Sequence, residues 1–143
     1  MTLKYLTDRI GELAIREKLV NYCASAGSIG ALNPLTVNQY PVLFITPSGS
    51  HRVEESTCTY TLTLTYIDRL LSGNDNDIDI YSTSIEELKN LINGIRLIDG
   101  VVSVDVEYDI RNFTDTEALN DKVSGSYATI RIVTLEDTIC WVD

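Results

Sequence analysis

The chain has 143 residues, 44% of them hydrophobic, and a formal net charge of −10. That size and composition suit one domain with one core. No apolar run approaches the ~20 residues that cross a bilayer as a helix, and so acidic a chain is a poor reader of DNA or RNA. The stretch from Met1 to Ile10 is amphipathic, unlike a secretory leader, so the sequence predicts a soluble protein kept in the cell that makes it. Cys23, Cys58 and Cys140 stand far apart with no CxxC or zinc spacing, and they read as free thiols in a reducing compartment. The charge is uneven. Residues 1–70 are neutral overall, and residues 71–143 carry the whole −10.

In chain order, Thr2 to Tyr22 reads as an amphipathic helix with Leu3, Leu6, Ile10, Leu13 and Val20 on one stripe and Thr2 placed to cap it. A small-residue stretch follows, with Gly27, Gly30 and Pro34, and predicts a mobile loop over 24–39. Tyr40 to Thr46 is a short apolar strand whose flanking Pro41 and Pro47 predict an edge position. Pro47-Ser48-Gly49-Ser50 is a turn into a long strand from about Val53 to Arg69, so the two strands form a hairpin. In that strand Thr57, Thr59, Thr61, Thr63 and Thr65 alternate with Cys58, Tyr60, Leu62, Leu64 and Tyr66, the period of a two-faced β-strand.

Residues 71–79 read as a polar loop leading to a short strand at Ile78 to Tyr81. Ser84 and Glu87 have capping-box spacing, which predicts a second helix with Ile85, Leu88, Leu91, Ile92, Ile95 and Ile98 buried and Gly100 as its left-handed stop. Val101 to Ile110 alternates again, with Val102, Val104, Val106, Tyr108 and Ile110 inward and Ser103, Asp105, Glu107 and Asp109 outward. Asn112 to Asp121 is a polar connection, and Val123 to Leu135 is the last strand. The apolar Ile139-Cys140-Trp141-Val142 predicts a docking tail over 136–143. The whole is a single α+β domain in the order α-β-β-α-β-β, a mixed or antiparallel four-stranded sheet with two helices on one face.

Chemistry-bearing residues are sparse. Asp75, Asp77 and Asp79, with Glu86, have part of the spacing of a calcium loop, but Ile80 stands where glycine is required. His51, the single histidine, has no nucleophile motif beside it and reads as a surface residue. Asp105, Glu107 and Asp109 read as the wet face of a strand before they read as an acid–base or metal site. The expectation is a protein with no catalytic residue, no metal and no cofactor.

The order of elements resembles the tail terminator and tail-completion (neck) proteins of tailed bacteriophages. The resemblance rests on the helix from Leu3 to Val20 and its small-residue loop, on Tyr40-Pro41-Val42-Leu43-Phe44-Ile45 followed by the strand ending Tyr66-Ile67-Asp68, and on the helix from Ile85 to Ile98 before two alternating strands. It covers about residues 3–135, and the family has no invariant motif to match. What it implies is a structural virion protein and not an enzyme. Such a protein forms a homo-oligomeric ring, a hexamer or higher, that ends the tail tube and joins it to head-completion or portal-adjacent proteins. DNA passes through its centre without specific contact, and no membrane is involved. The alternative from the residues alone is a small monomeric ligand- or divalent-metal-binding domain that uses the acidic 75–79 loop. The threonine face is either an ordinary wet β face or one that meets a neighbouring subunit or lines a lumen. Its place in the neutral half favours subunit contact through Thr57, Thr59, Thr61, Thr63 and Thr65, together with Ile139 and Trp141. Asp75, Asp77, Asp79, Asp105, Glu107 and Asp109 are then the channel-facing candidates.

Overall fold

The computed structural model describes residues 1–25, 40–70, 76–107, 109–115 and 122–136. Two helices and seven strands follow in the order α1 (Leu3–Arg16), β1 (Tyr22–Ser25), β2 (Val42–Pro47), β3 (Arg52–Val53), β4 (Thr57–Arg69), α2 (Asp77–Ile95), β5 (Val101–Val106), β6 (Arg111–Asp115) and β7 (Val123–Leu135). The class is α+β, as the sequence implies. The sheet is larger than the four strands expected: one mixed seven-stranded sheet in the order β1-β2-β4-β7-β5, with β3 on β4 and β6 on β7.

Seven strands make only five rows. β2 and β3 both pair antiparallel to β4, one after the other, and β5 and β6 both pair antiparallel to β7. The added fifth row is β1, which runs parallel to β2. The polar connection read from Asn112 onward is in part β6, with Asn112, Phe113 and Thr114 laddered on Ser126, Gly125 and Ser124. Its polar residues hide the strand because their partners are hydroxyls rather than a dry core.

α1 is capped as expected, the Thr2 hydroxyl accepting from the Tyr5 amide at 3.1 Å. It stops at Arg16, six residues before the expected end. Lys18 takes φ 58, and the Lys18 and Leu19 amides fold back to the Ile15 and Ala14 carbonyls at 3.0 and 2.9 Å. Those two bonds form a Schellman motif with lysine in the place glycine usually takes. The turn frees Tyr22 to Ser25 to pair with Val42 to Ile45, so the expected loop at 24–39 loses its first two residues to β1. The rest of it, 26–39, lies outside the described residues.

β1 also removes β2 from the edge. It covers only Val42 to Ile45, so Pro47 lies past the end of that ladder and no β1 residue needs its missing N–H. The threonine strand begins at Thr57, later than Val53, because Arg52–Val53 is a separate strand paired back on Thr59 and Cys58.

α2 begins seven residues before the expected cap, and Ile78 to Tyr81 is its first turn, not a strand. Ser84 is no cap: it is buried mid-helix, its hydroxyl 3.0 Å from the Tyr81 carbonyl and 2.6 Å from the Ser126 hydroxyl. Ile80, Ser84, Leu88, Leu91, Ile92 and Ile95 make the buried stripe, while Ile85 and Ile98 are half-buried. Gly94 lets α1 close in. A Cβ there would lie 2.8 Å from Leu13 Cδ2. Gly100 has φ +91, the left-handed stop the sequence predicts.

Both helices lie on one face of the sheet. Leu6, Ile10, Leu13, Leu88, Leu91 and Ile95 pack on Leu43, Ile45, Leu62, Leu64, Ile130 and Ile132 as one core. The β7 alternation holds throughout its centre, with Ala128, Ile130 and Ile132 buried. In β5 a register shift between Val101 and Ser103 turns Val102 outward, where it is 56% exposed against an inward expectation. Among the described residues no helix is long and apolar enough to cross a membrane.

Candidate functional site

The face of the sheet away from the helices carries the threonine ladder. Thr57, Thr59, Thr61, Thr63 and Thr65 are each half-buried. Cross-strand neighbours about 5 Å away shield their flanks and leave their tops open. Register places them in rows that cross the sheet. Arg52, Thr59, Val133 and Ser103 share one row. Thr61, Arg131 and Asp105 share the next. Thr46, Thr63 and Thr129 form a row of hydroxyls, with the Thr63 and Thr129 oxygens 3.1 Å apart. Ala24, Phe44, Thr65, Tyr127 and Arg111 follow, then Tyr22, Val42, Ile67, Gly125 and Phe113.

The face therefore changes character along the strands. At one end Tyr40, Val42, Phe44, Ile67 and Val123 make a second buried cluster, edged by Tyr22, Ala24 and Phe113. At the other end the surface is hydroxyl and guanidinium. Arg131 reaches Glu107 at 3.2 Å, and Asp105 lies directly across the ladder from it. Two of the expected channel acids, Asp105 and Glu107, thus share the threonine face instead of standing apart from it, and Arg131 pairs with Glu107. Register, not strand alternation, decides this.

The other acids separate. Asp77 and Asp79 occupy the first turn of α2, where carboxylates complement the helix dipole. The Asp77 carboxylate accepts from the Ile78 amide at 2.9 Å. Glu86 lies further along the helix, 3.7 Å from Lys89. A helix does not fold these residues round one ion, and no cluster of metal-ligating side chains occurs among the described residues. Asp109 is exposed. Asp75, Ile139 and Trp141 lie outside the described residues.

His51 is half-buried rather than a surface residue. Its ring meets Tyr60 edge-on at 5.2 Å between centroids, and its Nδ1 is buried without a hydrogen-bond partner. Burial pushes the Tyr60 hydroxyl up to about 12, and that hydroxyl donates to the Met1 carbonyl at 2.8 Å. Burial likewise pushes the Cys23 thiol up to about 11, aided by Asp8, which keeps it protonated. Cys23 and Cys58 are free thiols.

Sequence reasoning missed a chain of hydroxyls under α2. The Ser126 hydroxyl meets Ser84 and donates to Asn112 Oδ1 at 2.7 Å, while Thr114 bridges Tyr81 and Ser124. It ties the start of α2 to β6 and β7. The signal available was serine at alternate positions, Ser124 and Ser126, on the inward face of a strand.

Compared with known proteins, the chain matches no family model and no curated protein.

Proposed function

We propose that this chain is a structural protein of a phage virion that assembles through its open sheet face into a homo-oligomeric ring in the neck or tail. The ring would end the tail tube and join it to the head, with DNA passing through the centre. One observation carries this reading: helices cover a single face of a seven-stranded sheet, and on the other face, beyond the buried cluster of Val42, Phe44, Ile67 and Val123, the threonine ladder is half-buried and hydroxyl-rich, with Arg131 paired to Glu107 and Asp105 across the ladder from it. Each threonine hydroxyl costs less to desolvate than an ionised group and offers a donor and an acceptor to a partner. Repeated contact between unlike patches closes into a ring when the rotation allows.

The charge division supports the second part. Residues 71–143 carry the net −10, and Asp79 and Asp109 are exposed. A lumen lined by such acids repels phosphates and lets DNA slide. The alternative, a small monomeric ligand- or divalent-metal-binding domain using the acidic 75–79 loop, gains nothing from Asp77 and Asp79, which serve the start of α2.

Negative-stain imaging of the purified chain tests the reading. Annular particles with a central opening are expected. A homogeneous field of single small domains at tens of micromolar would contradict it.

A further inference from the structure

β5 is the last strand in the sheet order, and among the described residues no strand lies on its outer side. The Glu107 amide donates to the Thr129 carbonyl at 2.8 Å, one residue past the Val106–Ile130 pair. In an antiparallel ladder, residues that exchange bonds with the neighbouring strand alternate with residues whose N–H and C=O turn the other way. Ser103, Asp105 and Glu107 are therefore the residues of β5 and its end that bond to β7. Val104 and Val106 turn their main-chain groups to the open side, while the Val104 side chain stays in the core at 3% exposure.

Such a row is a template for a further strand. Arg96, the residue that caps the end of α2, reaches over it. Its Nη2 and Nε lie 3.1 and 3.4 Å from the Val104 carbonyl oxygen, and its Nη1 donates to Asn93 Oδ1 at 2.8 Å. The guanidinium thus takes the acceptor in the middle of the edge, and Asn93 steadies it there. The register shift between Val101 and Ser103 disturbs the start of the strand, so any pairing on this edge has to use Val104.

The strand reads Val-Val-Ser-Val-Asp-Val, and it suits a second copy of itself. Two copies meeting antiparallel with Val104 opposite Val104 exchange two main-chain bonds about a two-fold axis. Asp105 then stands opposite the partner's Ser103. The register shifted by two residues, with Val104 opposite Val106, sets Asp105 against Asp105, and like charges directly opposite are destabilising. The favoured register needs both Val104 carbonyls as acceptors, and Arg96 holds each of them.

We propose that the open edge of β5 is a pairing surface for β5 of a second copy, and that Arg96 keeps it closed. The contact confines association to other surfaces of the molecule, and the inference does not depend on ring formation. Arg96 is exposed, so replacing it leaves no hole in the core and the fold should persist.

Hydrogen exchange read by mass spectrometry over 101–107, beside sedimentation and far-UV circular dichroism, tests this in about 0.15 M salt, where the Debye length is about 8 Å and net charge is largely screened. In the wild type the Val104 and Val106 amides should exchange fast at every concentration. In Arg96→Ala they should exchange as fast when dilute and several-fold more slowly when concentrated, with a matching gain in mass and an unchanged dichroism spectrum. Asn93→Ala, which frees the guanidinium without removing it, should move both readouts the same way by less, and it carries the test if Arg96→Ala loses its fold. Fast exchange in both variants at the highest concentration would overturn the proposal. So would slow exchange in the wild type, by showing the edge already covered, or slowing in Arg96→Ala that ignores concentration, by placing the new partner within the same chain.

Discussion

The two faces of the sheet come from the same strands and the same alternation, yet they have different chemistry. Toward the helices, Leu62, Leu64, Ile130 and Ile132 are fully buried. Away from them, Thr61, Thr63, Thr129 and Val133 are half-buried. A dry face owes its stability to packing, where a lost methylene costs transfer energy and leaves a cavity. A wet hydroxyl face adds little to the fold, because water replaces whatever bonds it loses. The contrast separates residues that hold the monomer from residues free to serve something else.

The sharpest break in this contrast lies between β4 and β7. A Cβ on Gly125 would fall 1.7 Å from the Tyr66 carbonyl oxygen. Main chain cannot swing aside as a side chain does, so Gly125→Ala should cost more than about 4 kcal/mol or prevent folding. Urea unfolding of the variant measures this, and near-wild-type stability would show that the two central strands are not held as closely as described.

Next comes the dry face itself. Ile132→Ala should cost about 3 kcal/mol in the same measurement. On the wet face, Thr63→Ala removes one hydroxyl bond to Thr129 and should cost about 0.5 kcal/mol. Equal losses from the two variants would erase the distinction between the faces.

The smallest effect concerns Asp68, whose carboxyl is held above its usual range by burial and pulled back in part by the Arg69 amide. Between the unfolded and folded values the native state binds more protons, so stability falls as pH rises through the folded value. Asp68→Asn should therefore be more stable than the wild type at neutral pH, with the difference vanishing in acid below the ordinary carboxylate range. Melting temperatures across pH check it. A variant less stable at neutral pH would mean that the ionised carboxylate is favoured where it sits.

What was legible in the sequence follows the same division. β7 reads correctly over Val123–Leu135, and the threonine face reads from strict alternation, because from Tyr127 onward in β7 and from Thr57 to Tyr66 in β4 the pattern and the burial coincide. β1 escaped because its pairing partner is β2, across residues 26–39, and Cys23, Ala24 and Ser25 look like loop. The early start of α2 escaped because Asp77 and Asp79 imitate a polar loop and Ser84 with Glu87 imitates a cap, whereas Ser84 is bonded to Ser126 from another strand. Val102 escaped because a bulge breaks the period that alternation assumes. For the candidate site, the ladder was visible and its neighbours were not: only register brings Asp105 and Arg131 into line with Thr61.

Native mass spectrometry of the wild type beside a Thr61→Glu/Thr63→Glu variant tests the central claim most directly. The account predicts a closed multiple of the 15.9 kDa chain for the wild type and a folded monomer with little change in melting temperature for the variant. A wild type that stays monomeric at tens of micromolar, or a variant that assembles as well as the wild type, would contradict the assignment of the threonine face as an assembly surface.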